Sequence, residues 1–367
     1  MKSFFQRRFA YTILLLVGTL GGMLAWKLYS SHQPKRVALD PARVQVWEKI
    51  APRLRQAEQR GDEFGERHLQ SVKDFFADKR GHANDFADDV LGWGGKWAFL
   101  KGKFTADDGK AHQAHLKAAF ARHIFTDRDI QERLQEVIAS YLGELEGQEN
   151  ALLVEIQADL SEQDLPALRV LAMQEAGESF RGEYQKMVQQ IAPVVGRDLK
   201  IAVGREAVVW VGSDIAAAVT IRVASAVALR LGVSGGILGT GAASGMATLG
   251  VGLVVGFVVD GAVDWIMRRS GYDPSGQIAG ELCGTLSRIE GLMIEGDPEA
   301  KGIYDKLRRL QEHDRFSIVR EKCRHSADLI GTSGAMGLRH ELLRLRQFRG
   351  RLREDALRKL ILEGVES

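Results

Sequence analysis

From Leu231 to Val259 the chain runs for 29 residues without a charged side chain, and nine of those residues are glycine. If wholly helical, the stretch would be about 43 Å long. The pairs Gly232/Gly236, Gly235/Gly239, Gly241/Gly245 and Gly252/Gly256 have i,i+4 spacing, which puts both members of each pair on one helix face. In water, each interior glycine disfavours a helix by about 1 kcal/mol relative to alanine. Against a neighbouring helix or inside a bilayer, the same glycines let backbones touch. This composition fits a packed or inserted helical segment far better than an exposed one.

The residues around the stretch suggest a hairpin. Ile215 to Leu229 is also apolar, interrupted by Arg222. If the chain turns within Gly239-Thr240-Gly241-Ala242 and the arms run antiparallel, Arg222 faces Asp260 and Asp214 faces Arg268. Opposite charges in register are what a buried or intramembrane hairpin needs, because an unpaired charge there is expensive. Trp210 and Trp265 fall near the two open ends, at the depth where indoles favour a membrane interface. A single crossing by 231–259 with Arg268 and Arg269 in the cytoplasm is a second reading. A wholly buried, soluble hairpin is a third.

The start of the chain points the same way. Lys2, Arg7 and Arg8 precede an uncharged run from Phe9 to Trp26. Those 18 residues make about 27 Å of helix, close to the ~30 Å hydrocarbon thickness. Tyr11, Trp26 and Tyr29 sit near its ends, and Gly18 and Gly22 form a GxxxG pair. A cleaved signal peptide shares the basic start and apolar run, but no Ala-x-Ala site follows. The expectation is an uncleaved anchor with a cytoplasmic N-terminus, placed by the basic residues ahead of it.

The remaining sequence reads as helix. Asp40-Pro41, Asp273-Pro274 and Asp297-Pro298 each pair an acidic cap with a first-turn proline. Ile130, Leu134, Ile138, Tyr141, Leu145, Leu152, Ile156 and Leu160 are spaced by three, four or seven, marking one stripe of a bundle or coiled-coil helix. Near the end, Leu338, Leu342, Leu345, Phe348, Leu352, Leu357 and Leu360 form a second stripe among many arginines. This tail reads either as a helix docked on the bundle or as a surface for anionic lipid. Aromatics suited to base stacking are nearly missing, so nucleic acid is not an expected partner. Strand-like alternation is scarce, and the expected fold class is all-α.

The expected organisation is a basic N-terminus at 1–8, a transmembrane anchor at 9–29, and a helical bundle or coiled coil at 41–197. A glycine-rich apolar hairpin or membrane segment follows at 198–269, then a C-terminal helical region at 273–367 with the basic tail. The 367 residues carry a formal net charge of only +2, with 45% hydrophobic and 27% charged residues, which excludes a wholly disordered chain. Two cysteines exclude a disulfide scaffold.

Enzymatic motifs find little support. Gly239 to Gly245 is a GxGxxxG, but no alternating strands and helices surround it, and no lysine follows to make a phosphate loop. His112 and His115 share a helix face, yet no further ligand completes a metal site. Asp85, Asp88 and Asp89 read as a helix-face charge group rather than a calcium loop. Trp93 and Trp97, close to Lys96, Lys101 and Lys103, suit either a lipid headgroup layer or packing on the bundle. No catalytic residue, cofactor or metal is expected.

In outline the layout resembles that of helical pore-forming toxins, which combine long helices with an apolar hairpin. The expected function is non-enzymatic: a membrane-anchored helical protein whose glycine-rich hairpin mediates insertion or helix assembly. Its packing residues would be Gly232, Gly236, Gly241, Gly245, Gly252 and Gly256, with Arg222 and Asp260 as the internal ion pair. Trp93, Trp97, Trp210 and Trp265 would be interfacial aromatics. Expected partners are the lipid bilayer and either a second copy or another membrane protein. The expected location is the bacterial inner membrane. A tethered coiled-coil scaffold binding another envelope protein and a helical metal-dependent enzyme are the alternatives.

Overall fold

A computed structural model describes residues 40–92, 110–161, 178–198, 212–231, 274–313 and 316–363. Every regular element in them is helical, so the all-α class holds. In chain order the helices are α1 (Pro41–Gly81), α2 (Ala83–Leu91), α3 (Lys110–His123), α4 (Asp127–Ser161), α5 (Glu178–Asp198) and α6 (Gly212–Arg230). They continue with α7 (Pro274–Glu295), α8 (Pro298–His313), α9 (Ser317–Thr332) and α10 (Gly337–Arg358), which runs into a π-helical turn, Lys359–Glu363. The chain divides into two units, Met1–Val44 and Gln45–Ser367; of the first, only residues 40–44 are described.

Local chemistry sets the helix starts. Asp40 accepts a hydrogen bond from the Ala42 amide at 3.0 Å, and Pro41 occupies the first helical position, where its missing N–H costs nothing. The Glu299 amide donates to Asp297 Oδ1 at 3.0 Å in the same way at the start of α8. Ahead of α4, Thr126 and Asp129 form a reciprocal capping box: the Thr126 amide donates to Asp129 Oδ2 and the Asp129 amide to Thr126 Oγ1. Pro52 lies within α1 on an exposed face, so the carbonyl it leaves unpaired faces water.

Two apolar cores form within Gln45–Ser367. The first gathers the C-terminal half of α1, then α2, α3, the first half of α4, α6, α7 and the start of α10. At its centre Phe76, Phe86, Phe120 and Phe125 meet edge to face, with the Phe120 and Phe125 centroids 5.1 Å apart. The second core joins the start of α1, the end of α4, α5, the end of α10 and the π-helical turn. Both sequence stripes lie inside: each of the eight α4 positions from Ile130 to Leu160 is buried, and so are the seven tail positions from Leu338 to Leu360. The tail is therefore a docked bundle helix.

The helices α1, α4 and α10 are shared by both cores, and polar groups cross between them where the cores meet. Arg346 donates to the Glu58 carbonyl at 3.0 Å and to Asp62 at 2.8 Å. Arg349 pairs with Glu149 at 3.2 Å, and Tyr184 donates to the same carboxylate at 2.9 Å. Burial, then the charge of Glu149, holds the Tyr184 hydroxyl well above its usual range and keeps it a donor. Gly61 allows this approach, because a Cβ there would meet Arg346 Cδ at 3.0 Å.

Among the described residues no helix is long and apolar enough to cross a membrane. The expected anchor at 9–29 and the stretch 232–259 lie outside the described residues.

Replacing Phe120 with alanine removes the ring that links Phe86 to Phe125 in the aromatic cluster. Urea unfolding followed by circular dichroism should show a loss of about 3–5 kcal/mol.

Candidate functional site

α6 immediately precedes the glycine-rich stretch in the sequence, and its anchoring is set by groups on several other helices. Its inward side is Ala216, Val219, Val223, Ala224 and Val227, continued by Leu231, all buried in the first core. The i, i+3, i+4 spacing of these residues makes one apolar stripe.

Two arginines hold α6 from its other sides. Arg222 Nη2 donates to Glu341 Oε2 at 2.9 Å, and Arg344 Nη1 lies 3.4 Å from the same carboxylate. Glu341 is 1% exposed and sits on the α10 stripe between Leu338 and Leu342, with the two guanidinium groups as its ionic partners. Arg344 also donates to the Gly331 carbonyl at 3.1 Å, which ties α9 to the network. At the end of α6, Arg230 pairs with Asp297 at 3.3 Å and Glu299 at 2.9 Å, next to the start of α8.

Beside this network lies a backbone knot. The Asp297 amide, between α7 and α8, donates to the Ala335 carbonyl, between α9 and α10, at 2.7 Å. Three glycines with positive φ make the contact possible: Gly296 at 80°, Gly334 at 77° and Gly337 at 78°. A Cβ on Gly296 would strike the Ala335 carbonyl, and one on Gly337 would strike the Gly296 nitrogen. A Cβ on Gly334 would strike the carbonyl of Arg222 itself. Both ends of the α8–α9 hairpin thus close on each other, and α6 rests on the closure.

His340 packs into the same junction, edge-on to the Tyr304 ring with centroids 5.5 Å apart. Lys301 and Tyr304 face it from α8, and Glu341 and Arg344 from α10. Burial, then the charge of Arg344, pushes the imidazole below its ordinary value, so the folded state favours the neutral ring. The assembly contains acids, guanidinium groups and tight backbone, and in this structure it holds α6 in the bundle.

Of the residues singled out by sequence, Arg222 belongs to this junction. Asp260, the paired glycines Gly232, Gly236, Gly241, Gly245, Gly252 and Gly256, and Trp93, Trp97, Trp210 and Trp265 lie outside the described residues. His115 Nε2 is buried without a hydrogen-bond partner, and the His112 side chain lies outside the described set. No group of three or more His, Cys, Asp or Glu side chains among the described residues could hold a metal ion. The acidic cluster is a set of helix-face contacts: Asp85 meets His82, Asp88 accepts from Ser275, and Asp89 meets Arg122 and His123.

Sequence reasoning missed Glu341 and the three-glycine knot. Position 341 falls on the apolar stripe of α10, which singles out an acid there as buried and in need of a partner. Gly296 immediately precedes an Asp-Pro helix start, the usual place for a left-handed C-cap. Compared with known proteins, the chain matches no family model, no curated protein and no solved structure.

Gly334→Ala combines a positive φ with a collision against the Arg222 carbonyl, and should destabilise the protein by more than about 2 kcal/mol. Gly302→Ala, in open space on α8, should instead stabilise it by up to ~1 kcal/mol, and urea midpoints compare the two. For His340, the unfolded ring takes up its proton first as the pH falls. Its contribution to stability is therefore complete above pH ~6.5 and is lost as the pH drops below that value. His340→Gln should flatten the loss of stability measured between about pH 7 and pH 5.

Proposed function

We propose that this chain is a membrane-anchored helical protein that acts by insertion or helix assembly of its glycine-rich segment rather than by catalysis. In this reading residues 9–29 anchor it in the bacterial inner membrane with the N-terminus in the cytoplasm. Residues 231–259 form the apolar part of a hairpin whose glycine faces mediate close helix contact. The observation that supports it is the position of α6: the first arm of that hairpin is packed in a protein core, with its one internal charge, Arg222, satisfied by Glu341.

Arg222 then has a partner in each of two states. In the bundle the partner is Glu341. In an inserted hairpin the register brings Arg222 opposite Asp260, so the guanidinium is never left unpaired in a low-dielectric medium. Burial of α6 and insertion of the hairpin compete, and the junction of Glu341, Arg344 and the glycine knot sets the balance. A metal-dependent activity at His112 and His115 has no observation in its favour.

The test is Glu341→Ala in full-length protein reconstituted into vesicles. Loss of the Arg222 partner should increase the protease-protected fraction of the segment 231–259 several-fold. Cysteine accessibility on either side of the segment should place residues 200–211 and 274 onward on the same face of the membrane. Unchanged protection would remove Glu341 as the restraint. A tail on the opposite face would reject the hairpin in favour of a single-crossing tether.

A further inference from the structure

Three arginines of α1 recur at intervals of seven: Arg53, Arg60 and Arg67. Each step is two helical turns, about 10.5 Å, so the three line one face. α4 runs antiparallel beside them and closes the two outer positions. Arg53 meets Glu155 at 2.9 Å and Asp159 at 3.1 Å, and Arg67 meets Glu144 at 3.1 Å. Between those bridges the α4 residues facing the arginine row are Gly147, Gln148 and Ala151, none of them an acid. Arg60 is exposed and has no ion-pair or hydrogen-bond partner among the described residues.

The missing middle rung leaves a groove of about 430 Å³ between the two helices. That volume lies within the ~300–1,000 Å³ of small-molecule sites. Its floor is apolar: Ala57 and Leu152 are buried, with Phe64 half-buried beside them. Arg67 is held in place, its guanidinium carbon 5.2 Å from the Phe64 ring centroid. Gln148 is occupied as well, donating to the Ala57 carbonyl at 2.9 Å. Packing does not require the small residue on the α4 wall. A Cβ on Gly147 would meet nothing within 4 Å, although glycine in a helix interior is unfavourable.

We infer that this groove binds a small organic carboxylate with an apolar body, whose carboxylate takes on Arg60 the place that α4 acids take on Arg53 and Arg67. Geometry supports a small molecule over a protein helix. The Arg53–Glu155 and Arg67–Glu144 bridges cross from α1 to α4 at either end, so a helix laid along the groove would have to break both. Charge supports a carboxylate over a phosphate monoester. With Arg53 and Arg67 paired, one positive charge is left, whereas a phosphate monoester carries about −1.5 to −2 at pH 7 and would lie beside Glu144 and Glu155. The planar guanidinium fork matches the two oxygens of a carboxylate. The floor of Ala57, Phe64 and Leu152 gives a hydrocarbon body a surface to cover, which a bare anion could not use. The site shares no residue with the junction that holds α6, so it does not depend on the membrane reading.

The experiment is calorimetric titration of full-length protein in detergent micelles with naphthoate, using micelles alone as the blank. Saturable one-to-one binding with a dissociation constant below about 1 mM is expected. Naphthalene methanol, which lacks the charge, and acetate, which lacks the body, should each bind at least ~10-fold more weakly, and so should naphthyl phosphate. Arg60→Gln should weaken naphthoate binding at least ~10-fold. Gly147→Glu supplies the absent acid from the α4 wall and should weaken it as much. Both positions are exposed, so the urea midpoints of these variants should stay near that of the native protein. Arg55→Gln alters an exposed arginine of α1 outside the groove and should bind as the native protein does. Heat no greater than the blank, affinity unchanged by Arg60→Gln and Gly147→Glu, or equal affinity for the uncharged alcohol would overturn the inference. Tighter binding of naphthyl phosphate than of naphthoate would overturn the assignment to a carboxylate.

Discussion

α1 and α4 are 41 and 35 residues long, about 60 and 50 Å at 1.5 Å per residue, and each carries an apolar stripe along its length that must be kept from water. Most of the other described helices lie against those stripes. α10 lies along both cores, while the shorter helices divide between them: α5 in the second, and α2, α3, α6 and α7 in the first. Where the cores meet, long arginines on α10 reach carboxylates and carbonyls on α1 and α4. Arg346 and Arg349 of the arginine-rich helix are thereby neutralised from within the bundle.

Placing α6 in the first core has an energetic consequence for any rearrangement. Val219, Val223, Val227 and Leu231 are buried, and each such side chain is worth ~1.5–3 kcal/mol, so withdrawing α6 requires on the order of 10 kcal/mol of compensating burial elsewhere. The Arg222–Glu341 pair contributes far less, because Arg222 remains about one-third exposed and its attraction is screened. The ion pair therefore selects the position of α6 while apolar contact supplies the strength. Hydrocarbon or another apolar helix is the kind of surroundings that could replace that contact.

The periodic features were legible in the sequence. The eight α4 positions and the seven of the tail are buried because a 3.6-residue period leaves a helix only one face to bury, whatever its neighbours are. Asp40-Pro41 and Asp297-Pro298 begin helices because the cap is made within three residues of chain. The junction was not legible in this way. Glu341 and Arg222 are 119 positions apart, and the knot joins Gly296 to Gly337 through a hairpin of two helices. Nothing local in either segment specifies the other.

The sequence by itself determined that the described chain is helical and which faces of α4 and α10 are buried. These follow from short-range spacing and from the cost of placing an apolar helix face in water. Only the tertiary structure decided that the basic tail is docked along both cores and that α6 is held through Arg222 by a buried acid. Those outcomes depend on which distant surfaces meet, and a buried charge takes its meaning from the partner that the fold brings to it.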